Sequence, residues 1–424
     1  MNRISPSFKI AANTLYQLIG KASTMTITIV VTLIITRYYG REAYGQFSLM
    51  QSWPALLFII VDFGLNAIAT RELSKDFSKA GMYLGTILIM RIFLSAVFMA
   101  GLYIILSLFP YSEDLMFGIR LCLWLILTQA LFSTANIVFQ TKLRYDLSTL
   151  SLLSGYAVIF VLIILAAAFK VGVAWLSFSY VLGGLVTFGV SYYFLRRLGV
   201  HIKFSVDWEI MRYLFWQTLP LGIMFVFSQL NFKEDEILLS LMKLPARYGL
   251  SNTESVAVYA LPYKIFEVAL VVPTFFMNAA YPVLVRYMLE GKDRLRKTFF
   301  DVLKALFIMG IAFSLIGLLF SDLAINILGG SQFSESVPVL RILFAGLAIF
   351  YLTQPISWLI VTLGKQIYLP YVYLAAALVN LAANLIFIPI YSFFAAALVT
   401  SLSELLILCL LLFAAKKAWK SQYA

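Results

Sequence analysis

The chain alternates long apolar stretches with short polar or glycine-containing segments along its whole length. An α-helix of about 20 apolar residues crosses the hydrocarbon core of a bilayer. The spans that this pattern predicts are 11–36, 45–70, 82–109, 118–140, 148–169, 173–195, 213–242, 256–285, 298–321, 338–362, 367–390 and 392–415. The stretches are continuously apolar, as in Leu405 to Ala415, which favours helices over the alternating strands of a membrane barrel. We therefore predict an all-α polytopic membrane protein with about twelve transmembrane helices.

Composition supports this class and narrows the chemistry. Of the 424 residues, 62% are hydrophobic and 12% charged, whereas soluble domains have about 25% charged residues. Cys122 and Cys409 lie inside apolar stretches and His201 is the single histidine, so there is no basis for a disulfide framework, a metal site or Cys/His or Ser/His catalysis. The phosphate-binding motif G-x-x-x-x-G-K-[ST] does not occur. We expect a protein that is not an enzyme and needs no cofactor beyond a coupling proton or sodium ion.

The net charge of +12 is the next feature to explain. Nucleic-acid binding would need a basic domain that faces water, and no stretch is long and polar enough to form one. With the N-terminus placed in the cytoplasm, the inner segments hold 20 lysines and arginines and the outer loops hold 5. This is the positive-inside bias of a multi-pass protein. We predict a cytoplasmic (inner) membrane protein with both termini in the cytoplasm and no nucleic-acid partner.

The longest hydrophilic connection, Arg196 to Arg212, follows the sixth predicted span. It divides the chain into an N-terminal six-helix bundle (1–200), a cytoplasmic linker (201–212) and a C-terminal six-helix bundle (213–424). Two halves joined by an inner linker are a common plan of secondary transporters. The organisation of the chain therefore favours a transporter.

Polar side chains inside the predicted spans are the candidates for a functional site, because a charge at the bilayer centre costs roughly 2.5–3.5 kcal/mol. In the first span Asn13, Gln17 and Lys21 follow a four-residue spacing and share one helical face. This face either packs against a neighbouring helix or lines a water-filled cavity, and we favour the cavity. Lys21 lies about ten residues, roughly 15 Å, into its helix, which is too deep for its ammonium group to reach the interface easily.

Three further bases inside predicted spans are candidates for the same site. Arg91 has apolar neighbours in the third span, and Lys233 and Lys264 have comparable positions in the C-terminal half. Lys264 is three residues from Glu267, so these two could neutralise each other. A base at intermediate depth without a carboxylate on its own helix indicates an anionic substrate, since arginine can hold a phosphate bidentately and lysine supplies a point charge.

Four acids inside predicted spans are candidate ion-coupling residues: Asp62, Asp235, Glu267 and Glu404. Each could carry a coupling proton or cation, and each could equally be the partner of a structural ion pair. Asp235 belongs to the charged run Lys233–Glu236, which could instead reach water at the end of its helix. The residues alone leave these alternatives open.

Several segments resemble polysaccharide flippases of the Wzx type. They are the first outer loop Thr36–Gly45, the end of the second span with Asp62–Leu65 and Ala69–Glu72, the seventh-helix segment Asp235–Ser240, the eighth-helix segment Val258–Ile265, and Pro282–Leu284. The resemblance covers most of the chain, including the number of spans, the position of the linker and both termini. The chain is thus similar to members of the multidrug/oligosaccharidyl-lipid/polysaccharide (MOP) exporter superfamily.

This resemblance implies two six-helix bundles in a V shape that work by alternating access. It implies a flippase that moves an undecaprenyl-pyrophosphate-linked oligosaccharide from the inner to the outer leaflet with ion coupling. Lys21, Arg91 and Lys264 would contact the diphosphate, together with Lys233, and Asn13 and Gln17 would line the same cavity. Its partners would be the lipid-linked oligosaccharide, membrane lipids, and the polysaccharide polymerase and chain-length machinery.

A proton- or sodium-coupled multidrug or cation antiporter of the same superfamily is the alternative function. Such a protein would favour a cavity dominated by acids, whereas acids and bases inside the predicted spans balance at about seven each. A sugar polymerase or ligase would need a large outer loop or exposed catalytic acids, and the outer loops are short. The flippase therefore remains the favoured interpretation of the sequence.

Overall fold

The computed structural model of the protein describes residues 6–423, which are almost entirely helical. The α-helices in this part of the chain are α1 (Pro6–Ile34), α2 (Gly40–Asp62), α3 (Leu65–Lys75), α4 (Ala80–Ile105), α5 (Glu113–Cys122), α6 (Trp124–Thr141), α7 (Tyr145–Ala168), α8 (Val173–Arg197), α9 (Trp208–Leu241), α10 (Asn252–Glu290), α11 (Lys292–Leu328), α12 (Ser336–Thr362), α13 (Leu369–Tyr391) and α14 (Phe393–Tyr423). A π-helical segment, Ile35–Tyr39, joins α1 to α2. No β-strand occurs within residues 6–423.

Ten helical stretches of the described chain are long and apolar enough to cross a membrane, or eleven if the bent pair Trp208–Leu219 and Gly222–Leu230 is one span. The first stretch, Asn13–Lys75, has 63 residues, which is about 95 Å of helix and roughly three times the hydrocarbon thickness. It turns at Gly40, whose φ of 88° lies outside the helical range. The prediction of an all-helical, multi-pass membrane protein is confirmed.

The predicted span 45–70 is not one helix, which corrects the sequence analysis. α2 ends at Asp62 and α3 begins at Leu65, and Phe63 and Gly64 between them have positive φ angles of 38° and 74°. Backbone that leaves the helical ladder at membrane depth persists only where protein covers it or it lines a cavity. Protein does pack here, since a Cβ added to Gly222 would lie 2.5 Å from the Phe63 ring.

The helices form two compact units, Met1–Val226 and Phe227–Ala424. In the first unit α7 packs on α1 and α8, and α6 packs on α2, α4 and α8. In the second unit α12 packs on α10, α11 and α14, while α13 packs on α14. The domain limits drawn at residues 200 and 213 stay a prediction.

Glycines allow the helices to approach closely. A Cβ added to Gly155 of α7 would lie 1.9 Å from Thr187 Oγ1 and 2.4 Å from the carbonyl oxygen of Gly183 on α8. In the second unit, a Cβ added to Gly317 of α11 would lie 2.1 Å from the Phe344 ring of α12. In lipid, helices associate through such van der Waals contacts, because burial from water does not drive them together.

The linker between α8 and α9 has a fixed course along the first turns of α4. The backbone N–H of Lys203 donates to the Gly81 carbonyl at 3.0 Å, and the N–H of Asp207 donates to Thr86 Oγ1 at 3.2 Å. Asp207 Oδ1 accepts from the Glu209 N–H at 3.0 Å, so the same residue caps the start of α9. The linker backbone is thereby attached to the helix that carries Arg91.

Gly85→Ala is expected to destabilise the protein, because the new Cβ would lie 1.7 Å from the carbonyl oxygen of Lys203. Overpacking of this kind costs about 1–3 kcal/mol, and a backbone atom cannot rotate away. Gly101→Ala, on the same helix, is the control because no atom lies within 4 Å of a Cβ there. Thermal unfolding in detergent should show a lower midpoint for Gly85→Ala alone. Equal midpoints for the two variants would contradict the close contact between linker and α4.

Candidate functional site

The polar face predicted for α1 has two different surroundings. Lys21 is exposed on the first unit. Asn13 is buried, and its Oδ1 accepts a hydrogen bond of 3.1 Å from the N–H of Tyr145 at the start of α7. Gln17, between them, is half-buried. Asn13 therefore packs against a neighbouring helix, whereas Lys21 lies on an accessible surface.

Arg91 of α4 is fully buried and forms an ion pair with Asp62. Its Nη2 also donates to Asn66 Oδ1 at 3.0 Å, and its Nη1 donates to Thr134 Oγ1 at 2.8 Å. Asn66 Nδ2 in turn donates to Ser133 Oγ at 2.6 Å, and that hydroxyl donates to Asp62 at 3.3 Å. The helix α4 has no carboxylate that could pair with Arg91, and α2 supplies one in Asp62.

The position of Asp62 explains why a cation is held there. Asp62 is the last residue of α2, and the C-terminal end of a helix carries a partial negative charge in addition to the carboxylate. Arg91 faces both, and Asn66 from the first turn of α3 completes the connection across the break. Arg91 therefore stabilises the broken helix, and as a fully buried side chain it has no surface from which to contact a diphosphate in this conformation.

In the second unit, two lysines share one carboxylate. Lys233 Nζ lies 2.9 Å from Glu267 Oε1, and Lys264 Nζ lies 2.9 Å from Glu267 Oε2. The side chains of Lys233, Lys264 and Glu267 are 22%, 37% and 32% exposed. The neutralisation of Lys264 by Glu267 that the spacing allowed is observed, and Lys233 binds the other oxygen of the same carboxylate.

Lys233 and Glu267 of this cluster form part of the wall of a cavity of about 320 Å³ within the second unit. The rest of the lining is rich in hydroxyl, amide and aromatic groups: Ser228, Gln229, Tyr263, Leu270, Pro273, Thr274, Phe350, Thr353, Gln354, Ser357, Tyr373 and Glu404. Lys233 Nζ also lies 5.7 Å from the centroid of the Tyr263 ring. Such a lining combines a charged group with hydrogen-bonding partners and apolar surface, as ligand sites do.

Asp235 is fully buried and is surrounded by neutral hydrogen-bond donors. Tyr259 OH donates to its Oδ2 at 2.5 Å, Thr400 Oγ1 to the same oxygen at 2.7 Å, and Asn384 Nδ2 to Oδ1 at 2.6 Å. Asn384 Nδ2 also donates to Asn380 Oδ1 at 2.8 Å. We call these five residues the Asp235 cage; it holds a carboxylate without a basic partner.

Other acids of this unit are buried as well. Glu234 and Glu236 beside Asp235 are 8% and 5% exposed, so the three acids of this run are buried, whereas Lys233 is partly exposed. Glu404 is buried and accepts a hydrogen bond from Thr353. Within the residues that the structure describes, no three His, Cys, Asp or Glu side chains are arranged to hold a metal ion.

Sequence reasoning missed the neutral residues that surround the charged ones. Asn66 and Thr134 bind Arg91, and Asn380 and Asn384 connect to Asp235. For α13 the sequence did contain a signal of a polar site. Asn380 and Asn384 are four residues apart in an otherwise apolar span, so they share one helical face. Counting buried amides together with charges would have found the Asp235 cage.

Solved structures with the same fold are transporters. An inward-facing multidrug resistance MATE family transporter of the MOP superfamily superposes with a TM-score of 0.78 at 16% identity, covering 94% of this chain and 96% of the other. The lipid II flippase MurJ in an inward closed conformation gives 0.77 at 15% identity, covering 96% and 89%. A MOP superfamily transporter from Pyrococcus furiosus gives 0.69 at 17% identity, covering 100% and 98%. The fold is therefore that of a MOP superfamily transporter.

The sequence family is more specific than the fold. The model of the polysaccharide biosynthesis protein family matches residues 10–288, and the MatE family model matches residues 239–386. No curated protein matches the chain. Because the first match spans more than half of its residues, the chain belongs to the polysaccharide biosynthesis protein family. It is a multi-pass membrane transporter, and the matched families consist of transporters rather than enzymes.

We expect Arg91→Ala and Asp62→Ala each to lower the unfolding midpoint strongly, because removal of one partner of a buried ion pair costs about 3–5 kcal/mol. The double variant should lose less than the sum of the two, since neither charge is then left alone. The control is the pair Arg341 and Asp322, 3.5 Å apart and 49% and 76% exposed, for which about 0–1 kcal/mol is expected. Additive losses for Arg91 and Asp62 would show that they do not stabilise each other.

Proposed function

We propose that the protein is a flippase that moves an undecaprenyl-pyrophosphate-linked oligosaccharide, a polysaccharide repeat unit, from the inner to the outer leaflet by alternating access. Its membership of the polysaccharide biosynthesis protein family supports a glycan-related substrate. The observation that carries the proposal is a basic side chain at the cavity wall: Lys233 lines the cavity and is held there by Glu267, which Lys264 also binds. A transporter of lipid-linked pyrophosphate requires such a charge at a site that its substrate can reach.

The lysines are suited to an exchange of partners. An ammonium group has three donors, and the observed ion pairs use one oxygen of Glu267 for each lysine. A pyrophosphate in the cavity can therefore bind a further donor of Lys233 while Glu267 holds that lysine in position. In the first unit, Lys21 is proposed as a further phosphate contact because it is exposed, with Gln17 beside it. Asn13 and Arg91, both buried, are proposed to position these elements.

Hydroxyl, amide and aromatic side chains in the same cavity fit a glycan. Gln229, Gln354 and Ser357 offer donors and acceptors to sugar hydroxyls, and Tyr263 and Tyr373 offer ring faces and phenol groups. The volume of about 320 Å³ lies at the lower end of the range for ligand sites, which suits a small part of an oligosaccharide. The lipid tail would remain in the membrane.

Asp235 is the proposed coupling residue among the four candidate acids. Asp62 and Glu267 are committed to ion pairs with basic side chains, and Glu404 has Thr353 as a donor. Asp235 has only neutral donors, and the buried Oδ1 of Asn384 beside it has no partner among the described residues. A proton or sodium ion that binds the carboxylate would compensate the buried charge and use oxygen atoms that are already in place.

A proton- or sodium-coupled multidrug antiporter is the second candidate function. It is favoured by the match of residues 239–386 to the MatE family and by the burial of Asp235 and Glu404. The two functions predict opposite effects of charge at the cavity wall on substrate binding. Acidic side chains would strengthen binding of a cationic drug, whereas basic side chains would strengthen binding of a pyrophosphate. Partners such as a polysaccharide polymerase, and a cytoplasmic membrane location with both termini inside, belong to the flippase proposal.

The flippase predicts that Lys233→Ala and Lys264→Ala each slow transfer about tenfold or more, because a hydrogen bond to a charged group contributes roughly 1.5–3 kcal/mol. Glu267→Gln, which adds net positive charge, should retain or tighten binding of the probe. The measurement is dithionite quenching of a nitrobenzoxadiazole-labelled undecaprenyl-pyrophosphate oligosaccharide in reconstituted vesicles, with exposed Lys243→Ala as the control. Unchanged transfer in both lysine variants, or faster efflux of a cationic dye on loss of either lysine, would reject the flippase.

Coupling at Asp235 predicts that Asp235→Asn abolishes the response of transfer to an imposed proton or sodium gradient. The amide cannot exchange a proton or supply a negative charge, although it nearly preserves the shape of the side chain. Asp322→Asn, at an acid that is 76% exposed in the same unit, should leave the gradient response unchanged. A response that survives in Asp235→Asn would assign coupling to another acid.

A further inference from the structure

A second concave surface lies on the second unit, between α13 and α14, and has a volume of about 350 Å³. It is lined by Val379, Ala383, Phe387 and Tyr391 of α13 and by Ala395, Leu398, Val399, Leu402 and Ser403 of α14. The α13 residues are four apart and so form one stripe along the helix. Phe387, Leu398 and Leu402 are 44%, 47% and 61% exposed. We call this surface the α13–α14 groove; apart from a tyrosine and a serine, its lining is apolar.

The length of the groove matches one leaflet of a bilayer. Twelve residues separate Val379 from Tyr391, which is roughly 18 Å along a helix. Half of the hydrocarbon core is about 15 Å thick. An acyl chain that lies along the α13 stripe therefore stays within one leaflet, with its end against Ser403 and its start beside Tyr391.

The Tyr391 end of the groove carries a positive charge among aromatic rings. The exposed side chain of Arg247 donates from Nη2 to the carbonyl of Ile390 at 2.6 Å. Its guanidinium carbon lies 5.4 Å from the ring centroid of Tyr391 and 4.9 Å from that of Tyr248. Arg247 forms no ion pair with any residue in the described part of the chain. Aromatic rings and basic side chains at a helix end are typical of the headgroup level of a membrane.

We infer that the α13–α14 groove binds one acyl chain of an anionic phospholipid, with the phosphate of its headgroup at Arg247. The apolar lining selects a hydrocarbon chain, and the unpaired guanidinium selects a negative headgroup. A long polyprenyl tail fits less well, because it far exceeds the roughly 18 Å that the groove offers. This inference does not depend on the proposed transport function.

The bound acyl chain would contact a residue that is hydrogen-bonded to the Asp235 cage. Ser403 lines the deep end of the groove and accepts a hydrogen bond of 2.9 Å from Asn380. Asn380 is bonded to Asn384, which donates to Asp235. The lipid would thus be separated from the Asp235 cage by one side chain, Ser403, and would be linked to the buried acid only through the hydrogen bonds of Ser403, Asn380 and Asn384.

The experiment uses the full chain in vesicles of neutral phosphatidylcholine with trace amounts of a phospholipid that carries a diazirine near the end of one acyl chain. Two probes with the same chains are compared, phosphatidylglycerol and phosphatidylcholine, and the crosslinked residues are mapped by mass spectrometry. We expect crosslinks at Leu398, Leu402 and Val379, at about fivefold higher yield for phosphatidylglycerol. That factor corresponds to about 1 kcal/mol for one basic side chain at the membrane surface.

Four variants test what produces the preference for the anionic probe. Arg247→Gln should give equal yields for the two probes, whereas Arg247→Lys and the nearby Lys243→Gln should keep the preference. Leu398→Trp should fill the groove and reduce crosslinking there for both probes, with crosslinking at Ile386, an exposed residue of α13 outside the lining, as the measure of insertion. Equal yields in the unaltered protein, or a preference that persists in Arg247→Gln, would overturn the inference. Displacement of the probe by undecaprenyl phosphate but not by excess unlabelled phosphatidylglycerol would also overturn it.

Discussion

The hydrocarbon core of a membrane offers no water to a charged or hydrogen-bonding group, and this constraint governs where every polar side chain in the protein lies. Arg91 shows the consequence most completely. It is fully buried, and its partners come from α2, α3 and α6 rather than from α4 itself. The ion pair with Asp62 forms where α2 stops, so a base from one helix stabilises the open end of another. A helix that breaks in the first unit depends on this contact.

The second unit meets the same constraint in two ways. Around Asp235, tyrosine, threonine and asparagine satisfy a carboxylate with neutral donors. Around Glu267, two lysines bind one carboxylate, and one of them, Lys233, lines a cavity. Both arrangements lie within the second unit of a chain that has the fold of MOP transporters.

Much of the architecture could be predicted from the sequence, because the length of each apolar stretch and the distribution of basic residues between the loops are properties of the linear chain. Most predicted spans fall on single observed helices, whereas 45–70 covers parts of α2 and α3 and 118–140 covers parts of α5 and α6. The long linker falls where α8 ends. The break after Asp62 was missed, since Phe63 and Gly64 do not interrupt the apolar pattern of 45–70. The amides of α13 were missed because they are uncharged and therefore cost less to bury than the charges on which the sequence analysis concentrated.

The sequence by itself determined the membrane class, the helical spans and the charged residues at depth, because each of these follows from composition within about 20 residues. Which charges pair was decided by the tertiary structure alone. Arg91 and Asp62 are 29 residues apart, Lys233 and Glu267 are 34 apart, and Asp235 and Thr400 are 165 apart. No local sequence pattern encodes a pairing between residues that are so far apart along the chain. Only the packing of one helix on another brings such partners together, as when Arg91 of α4, which has no carboxylate partner on its own helix, forms an ion pair with Asp62 of α2.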